Sequence, residues 1–281
     1  MIRQVAIGAV ALLCGVAGAQ AQNGAAMARG KYLVDTLMTC HNCHTPRGPN
    51  GPMFDKALSG GMRFNEPPFD VTAANITSDK ETGIGAWSVD DIKKFLVTGV
   101  RPNGVPTAVA MPNAFYKVLT ASDLDAIATY LHSVPPVKNK VPDPIYKINI
   151  PQPVVPNAQT QMTDADLKDK VKRGFYLATI AHCMECHTPM GPKGRDFSRM
   201  GAGGFEFKGG FGVSVSRNIT SSKTKGLGTW TDAEIKRAIT TGTSRDGSKL
   251  KPPMGFAFYA QVAPDDLDAI VAYLRTVPPV E

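Results

Sequence analysis

Aromatic side chains are scarce in this chain. They make up 7% of it, and tryptophan occurs only twice, at Trp87 and Trp230. Cores with so few rings need another large apolar body to fill them. No Lys/Arg-rich run with interleaved aromatics occurs, so the net charge of +7 does not point to nucleic acid. No stretch sustains a two-residue apolar/polar alternation, which excludes a dominant sheet. Cysteine is also short, with five residues in 281, and this shortage decides more than the others.

One of the five, Cys14, lies in the apolar run Val5 to Gly18, which follows Arg3 and precedes Ala19-Gln20-Ala21. A short positive start, an apolar run and an A-x-A site make residues 1–21 the expected secretory signal. The run is short for a retained anchor, which needs about 20 apolar residues. Leu13 stands where a lipoprotein signal has a small residue, so lipidation is not expected. Cleavage leaves four thiols and an exported, periplasmic protein with no transmembrane segment. In that compartment four cysteines would ordinarily suggest disulfides.

The four lie in two copies of one pattern, Cys40-His41-Asn42-Cys43-His44 and Cys183-Met184-Glu185-Cys186-His187. Cys-x-x-Cys-His is the signature for covalent attachment of a c-type haem. Two thiols add across the vinyl groups, and the neighbouring imidazole turns to the iron. The cofactors expected are two covalently bound haem c groups, leaving no thiol for a disulfide.

The copies are 143 residues apart, and the offset extends well beyond them. Asn75-Ile76-Thr77 meets Asn218-Ile219-Thr220, and Gly83 to Trp87 meets Gly226 to Trp230. Val134-Pro135-Pro136-Val137 meets Val277-Pro278-Pro279-Val280. Upstream the offset slips by one, where Gly30 and Tyr32 pair with Gly174 and Tyr176. Two repeats mean a pair of domains and not a solenoid. The expected division is domain 1 over 22–137, a Pro-rich linker over 138–162 and domain 2 over 163–281. Prolines 142, 144, 151, 153 and 156 keep the linker from being helical. Within a unit the elements read as helices, so the fold class is mainly α. One runs over 26–39 and delivers the Cys pair. Ser88 caps the next and Gly99 ends it. Thr120 or Ser122 caps the last, where Leu124, Ile127, Tyr130 and Leu131 recur at helical steps. The glycine-rich stretches 47–74 and 190–217 read as loops, with room for short strands.

An iron held by one histidine needs a second ligand. His44 and His187 supply the first. Met111 and Met254 recur 71 residues after the first Cys of their pairs, in Pro-flanked segments. Methionine is by default core filler, but no other methionine pairs across the two halves. His41, His132 and His182 have no histidine counterpart and read as solvent-facing. A shared zinc site is the rival reading of two Cys-x-x-Cys pairs; it requires the pairs to converge, whereas each opens its own unit and carries its own histidine. Trp87 and Trp230, with Asn75 and Asn218, are the remaining paired positions. They either line the haem crevice and bond its propionates, or pack ordinarily with Asn in a turn.

With these motifs together, each copy resembles a bacterial class I cytochrome c domain. The chain is similar to the cytochrome c subunits of exported alcohol and aldehyde dehydrogenase complexes. The resemblance rests on Asn-Ile-Thr-x-x-x-x-x-Gly-Ile-Gly-x-Trp, the Pro-rich methionine loop and Tyr-Leu-x-x-Val-Pro-Pro-Val. It implies an electron carrier and not an enzyme, working between a dehydrogenase donor and a cytochrome or oxidase acceptor. The alcohol dehydrogenase subunits usually carry three haem domains and a membrane-attaching tail; two units imply a soluble protein. The alternative is a haem enzyme, a di-haem peroxidase or thiosulfate-oxidising cytochrome, with one labile ligand. Residues 22–150 carry 13 basic and 11 acidic side chains, and residues 151–281 carry 17 and 13. Lys249 and Lys251 flank Met254 where the first copy has Pro106 and Ala108, so the second unit is expected to face the more acidic partner.

Overall fold

The computed structural model describes residues 23–148, 151–192 and 194–281. The expected signal, residues 1–21, lies outside the described residues. The fold mixes helix with short strand. Residues 23–32 form α1, which runs on into a wider π turn at Leu33–Leu37. The one-turn α2 (His41–His44) carries the first Cys pair. The hairpins β1 (Arg47–Gly48) with β2 (Gly51–Pro52) and β3 (Arg63–Glu66) with β4 (Phe69–Thr72) follow. Then come α3 (Val89–Thr98) and α4 (Ala121–Ser133).

After the strand β5 (Ile145–Tyr146), the series repeats. It runs α5 (Lys170–Ile180), α6 (Cys183–Cys186), β6 (Met190–Gly191) with β7 (Gly194–Arg195), and β8 (Glu206–Gly209) with β9 (Gly212–Val215). It ends with α7 (Asp232–Thr241), α8 (Phe256–Tyr259) and α9 (Pro264–Leu274). Among the described residues no helix is long and apolar enough to cross a membrane.

Local chemistry explains the boundaries. Ser88 caps α3 by accepting from the Asp91 amide, and the Asp91 carboxylate accepts from the Ser88 amide. Thr231 and Glu234 repeat this box on α7. Each satisfies two amides that a helix start leaves without partners. Gly99 and Gly242 end the two helices at φ +68° and +62°, a conformation that costs glycine little. Thr120, and not Ser122, caps α4 by accepting from the Asp123 amide.

One expectation changes. The first helix stops before residue 39, because the π turn uses up its length and Thr39 takes φ +48°. The glycine-rich stretches hold loops together with the short strands for which the sequence left room.

In each half the first and last helices cross where a glycine removes the side chain. A Cβ on Gly30 would lie 2.0 Å from the Ala126 carbonyl oxygen, and one on Gly174 1.9 Å from that of Ala269. The buried apolar residues form one cluster that runs through both halves, from Leu33 to Val277. Described residues on both sides of 149–150 in the proline-rich stretch 138–162 bond the first half, among them the Met162 amide to the Val118 carbonyl at 3.0 Å. The stretch's β5 extends the β3–β4 hairpin, pairing Tyr146 with Phe69 and Ile145 with Asp70. Farther on, Val155 and Ala158 are buried in the common core.

Candidate functional site

Both Cys pairs are delivered in the same way. In the first half, the Met38 amide bonds the Leu33 carbonyl at 2.8 Å and the Cys40 amide bonds that of Val34 at 3.1 Å. In the second, Ala181 bonds Leu177 at 2.9 Å and His182 bonds Thr179 at 2.8 Å. The residue before each first cysteine is a non-glycine in the left-handed region, Thr39 at φ +48° and His182 at +44°. Such a residue costs about 1–2 kcal/mol, and both halves keep it. It turns the chain from the long helix into the single turn. Within that turn the two cysteines stand three residues apart on one face. The histidine is tied on behind them, its amide bonding the first cysteine's carbonyl at 2.9 Å for His44 and 3.0 Å for His187.

The two imidazoles are oriented alike. His44 Nδ1 lies 2.7 Å from the Ala74 carbonyl oxygen, and His187 Nδ1 lies 2.6 Å from that of Arg217. A carbonyl can only accept, so Nδ1 carries the proton and Nε2 keeps its lone pair. Burial lowers both imidazole pKa values, and the bond to the carbonyl opposes this only in part. The rings therefore stay neutral and able to ligate. Such a backbone partner is the usual second support of a metal-bound histidine.

The thiols behave differently. Burial pushes Cys40 up to about 12, Cys43 to about 11 and Cys183 to about 12. All four cysteines are free and half-buried, with no disulfide among them. Among the described residues no group of three or more His, Cys, Asp and Glu is placed to hold a metal ion.

Met111 and Met254 sit in loops of matching build. The first loop is pinched by a bridge between Val100 and Pro106, the second by one between Thr243 and Lys249. The residue two beyond each methionine bonds its carbonyl, Asn113 at 2.8 Å and Phe256 at 3.0 Å. Both methionines are half-buried, and Met111 packs against the core.

Asn113 was not legible as a site residue. Its Nδ2 donates to the Phe95 and Leu96 carbonyls at 2.9 Å, tying the Met111 loop to the end of α3. The only signal was a polar residue where the other half has Phe256.

The paired Trp and Asn residues separate. Trp87 stacks edge-on to Phe95 at 5.4 Å, and both tryptophans pack half-buried against the core. Among the described residues neither indole N–H has a hydrogen-bond partner. Asn75 and Asn218 follow the turn reading. Asn75 Oδ1 accepts from the Thr77 amide and hydroxyl, and its Nδ2 donates to the Val137 carbonyl at 2.7 Å. Asn218 does the same with Thr220 and with Val280 at 2.8 Å. Their polar atoms hold the Val-Pro-Pro-Val segments, which leaves little for a propionate.

His132 is exposed as expected and His182 is half-buried beside Glu185. His41 is not solvent-facing. It is 7% exposed, bonded to Thr45 at 2.8 Å and Asp35 at 3.0 Å, and stacked 6.2 Å from Phe258 of the other half.

This donor chemistry fits a c-type haem in each half. Half-buried free thiols stand in pairs beside an imidazole with a free Nε2, and among the described residues each half keeps an indole N–H without a protein partner. Residues 171–278 match the sequence profile of the family Cytochrome c. Over nearly its whole length the chain is similar to cytochrome c subunits of dehydrogenases. It is 31% identical over 293 residues to the cytochrome c subunit of alcohol dehydrogenase (quinone) from Gluconobacter oxydans (strain 621H), covering 98% of this chain and 59% of the relative. It is 31% identical over 272 residues to the fructose dehydrogenase cytochrome subunit of Gluconobacter japonicus, covering 90% and 52%. A "Diheme cytochrome c-type" protein of Cereibacter sphaeroides is 28% identical over 255 residues, covering 86% and 83%. The chain thus spans between half and two thirds of the length of the two dehydrogenase subunits.

Proposed function

We propose that the chain is a periplasmic two-haem electron carrier that serves an exported dehydrogenase and passes electrons on to a cytochrome or oxidase. It is an electron-transfer subunit or carrier and not a catalyst, as its relatives are cytochrome subunits. The observation that carries this reading is the doubled constellation of buried Cys pair and Nδ1-anchored histidine. Two cytochrome c domains, 22–137 and 163–281, are joined by the Pro-rich linker 138–162, and residues 1–21 direct export. Cys40 and Cys43 would hold one haem c, with His44 and Met111 supplying its iron ligands; Cys183 and Cys186 would hold the other, with His187 and Met254. Trp87 and Trp230 line the two crevices.

Bound haem supplies a one-electron iron couple, which His/Met ligation sets at higher potential than His alone. The chain's own part is to orient, to exclude water and to close both ligand positions. The Ala74 and Arg217 carbonyls fix the histidine tautomers. The Pro-flanked loops hold the methionines, and Asn75 and Asn218 strap the closing Val-Pro-Pro-Val segments over each half.

The test replaces each methionine with alanine in the haem-loaded protein. Met111→Ala and Met254→Ala are each expected to remove half of the near-infrared methionine–iron absorption and leave one haem high-spin. The double variant loses all of it. If the unaltered protein shows a band worth one haem only, the reading gives way to a haem enzyme with an open site.

The halves also differ in what covers their methionine loops. In the first, the Tyr146 hydroxyl donates to the Pro106 carbonyl at 3.0 Å, and Gln152 reaches the Met111 carbonyl at 3.4 Å. In the second, Lys249 and Lys251 stand exposed on the corresponding loop. The second half is the port for an acidic partner. Complementary charge acts mainly on association rate and is screened by salt. Lys249→Glu with Lys251→Glu is therefore expected to slow bimolecular transfer to an acidic partner by about tenfold at low salt, with little change at high salt. Unchanged, salt-independent rates would remove this assignment.

A further inference from the structure

The sequence pairs three more residues across the halves, and the structure gives them one joint role. Arg29 and Tyr32 on α1 correspond to Arg173 and Tyr176 on α5; Asp123 on α4 corresponds to Asp266 on α9. Each arginine clasps the aspartate of its own half. Arg29 bonds Asp123 through two nitrogens at 2.8 Å, and Arg173 lies against Asp266 Oδ1 as an ion pair. Each tyrosine crosses to the other half. The Tyr32 hydroxyl donates to Asp266 at 2.8 Å, and that of Tyr176 donates to Asp123 at 2.6 Å. The Tyr32 oxygen also accepts from the Ala263 amide at 3.1 Å. The two carboxylates are 4% and 2% exposed, and each takes one hydrogen bond from the other half in addition to the arginine of its own, so separating the halves removes a partner from each buried charge.

This docking has a functional geometry. Asn42, between the first pair of cysteines, donates to the carbonyl of Pro253, the residue before Met254, at 3.3 Å. His41, beside it, stacks on Phe258. A Cβ on Gly255 would lie 3.4 Å from Thr39. The first attachment motif thus rests on the second half's methionine loop.

Resting on the two-haem reading above, we propose that Tyr32 and Tyr176 are positioning residues. They lock the halves so that the attachment motif of one stays against the ligand loop of the other, and so fix the path between the two redox centres. Their hydroxyls bond Asp266 and Asp123 and not the residues of the two attachment motifs. A swinging pair of domains, the default for a chain joined by a linker, is replaced by a fixed relay.

The test is Tyr32→Phe with Tyr176→Phe, which removes two hydroxyls and keeps both rings. The control is Tyr130→Phe, whose hydroxyl bonds Asp35 within one half at 3.2 Å. Three readouts are taken on the haem-loaded protein: the methionine–iron band, amide hydrogen exchange along the interface helices, and inter-haem electron transfer after flash reduction. A hydrogen bond to a buried charge governs about a tenfold or larger population change. The double variant should keep the band, lose at least about tenfold in exchange protection and slow inter-haem transfer by a similar factor. The control should change none of these.

Unchanged exchange and transfer would overturn the lock and leave the carrier function standing. A lost methionine–iron band in the double variant would overturn it too, by assigning the tyrosines to folding of the pockets. If the unaltered protein carries no haem that cycles, the carrier reading itself fails.

Discussion

Replacing Cys40 and Cys43 with alanine is expected to reduce the covalently bound haem from two per chain to one. Their burial makes them poor thiolates but good partners for a large apolar ring. Nothing else in the first half replaces that ring. Its largest fully buried side chains are Phe115 and Tyr116 with Leu33, Leu37, Met38, Leu58, Ile92, Leu119 and Ile127. Burying a side chain of this size contributes about 1.5–3 kcal/mol, and a haem-sized body missing from among them leaves a cavity that the surroundings fill only in part.

The loss should therefore appear twice. Alkaline pyridine haemochrome assay should give one haem per chain. Hydrogen exchange should speed up in α3 and α4, which enclose the first half, before it does in α7 and α9. Cys183→Ala with Cys186→Ala should give the mirror image. A chain that still carries two covalent haems after either change would refute the attachment assignment for that pair.

What the sequence made legible depended on how local the cause was. The caps at Ser88 and Thr231 and the ends at Gly99 and Gly242 are set by residues within a few positions of one another, and each was readable. The repeat multiplied the signal, because every local pattern occurred twice.

What escaped was made by distance or by docking. Asn75 meets Val137 62 residues away, and no spacing announces that contact. His41 looked like a surface residue between two cysteines until Phe258 of the other half covered it. The Tyr32 and Tyr176 contacts join residues 234 and 53 positions from their partners. The residues themselves were visible as pairs, but their partners were not. The strand β5 escaped for a different reason. Its pairing uses backbone groups, which any residue but proline supplies, so the proline-rich composition around it hid a two-residue strand. The early end of the first helix also had no readable sign, since Thr39 is an ordinary residue held in a strained conformation by what surrounds it.

The glycine at each helix crossing gives the sharpest stability result. Gly174→Ala adds one methyl group to α5, and in an isolated helix that change would stabilise by about 1 kcal/mol. In the fold the new carbon would lie 1.9 Å from the Ala269 carbonyl oxygen, 2.5 Å from its carbon and 2.8 Å from Tyr273 Cβ. Two of these atoms are backbone of α9 and cannot rotate away. The helices must separate, and overpacking of this kind costs about 3 kcal/mol at the upper end of its usual range. The cost wins, leaving a net loss of about 2 kcal/mol. For a unit of this size that lowers the thermal midpoint by roughly 4–8 °C. Gly210→Ala is the matched control: a Cβ there meets nothing within 4 Å, so its midpoint should stay within about 2 °C of the parent. Scanning calorimetry of the haem-loaded variants reads both. A Gly174→Ala protein as stable as the control would mean that α5 and α9 do not cross as closely as these distances require. Because α5 leads directly into the turn bearing Cys183 and Cys186, the same separation should also broaden the methionine–iron band of the second half while leaving the first half's share unchanged.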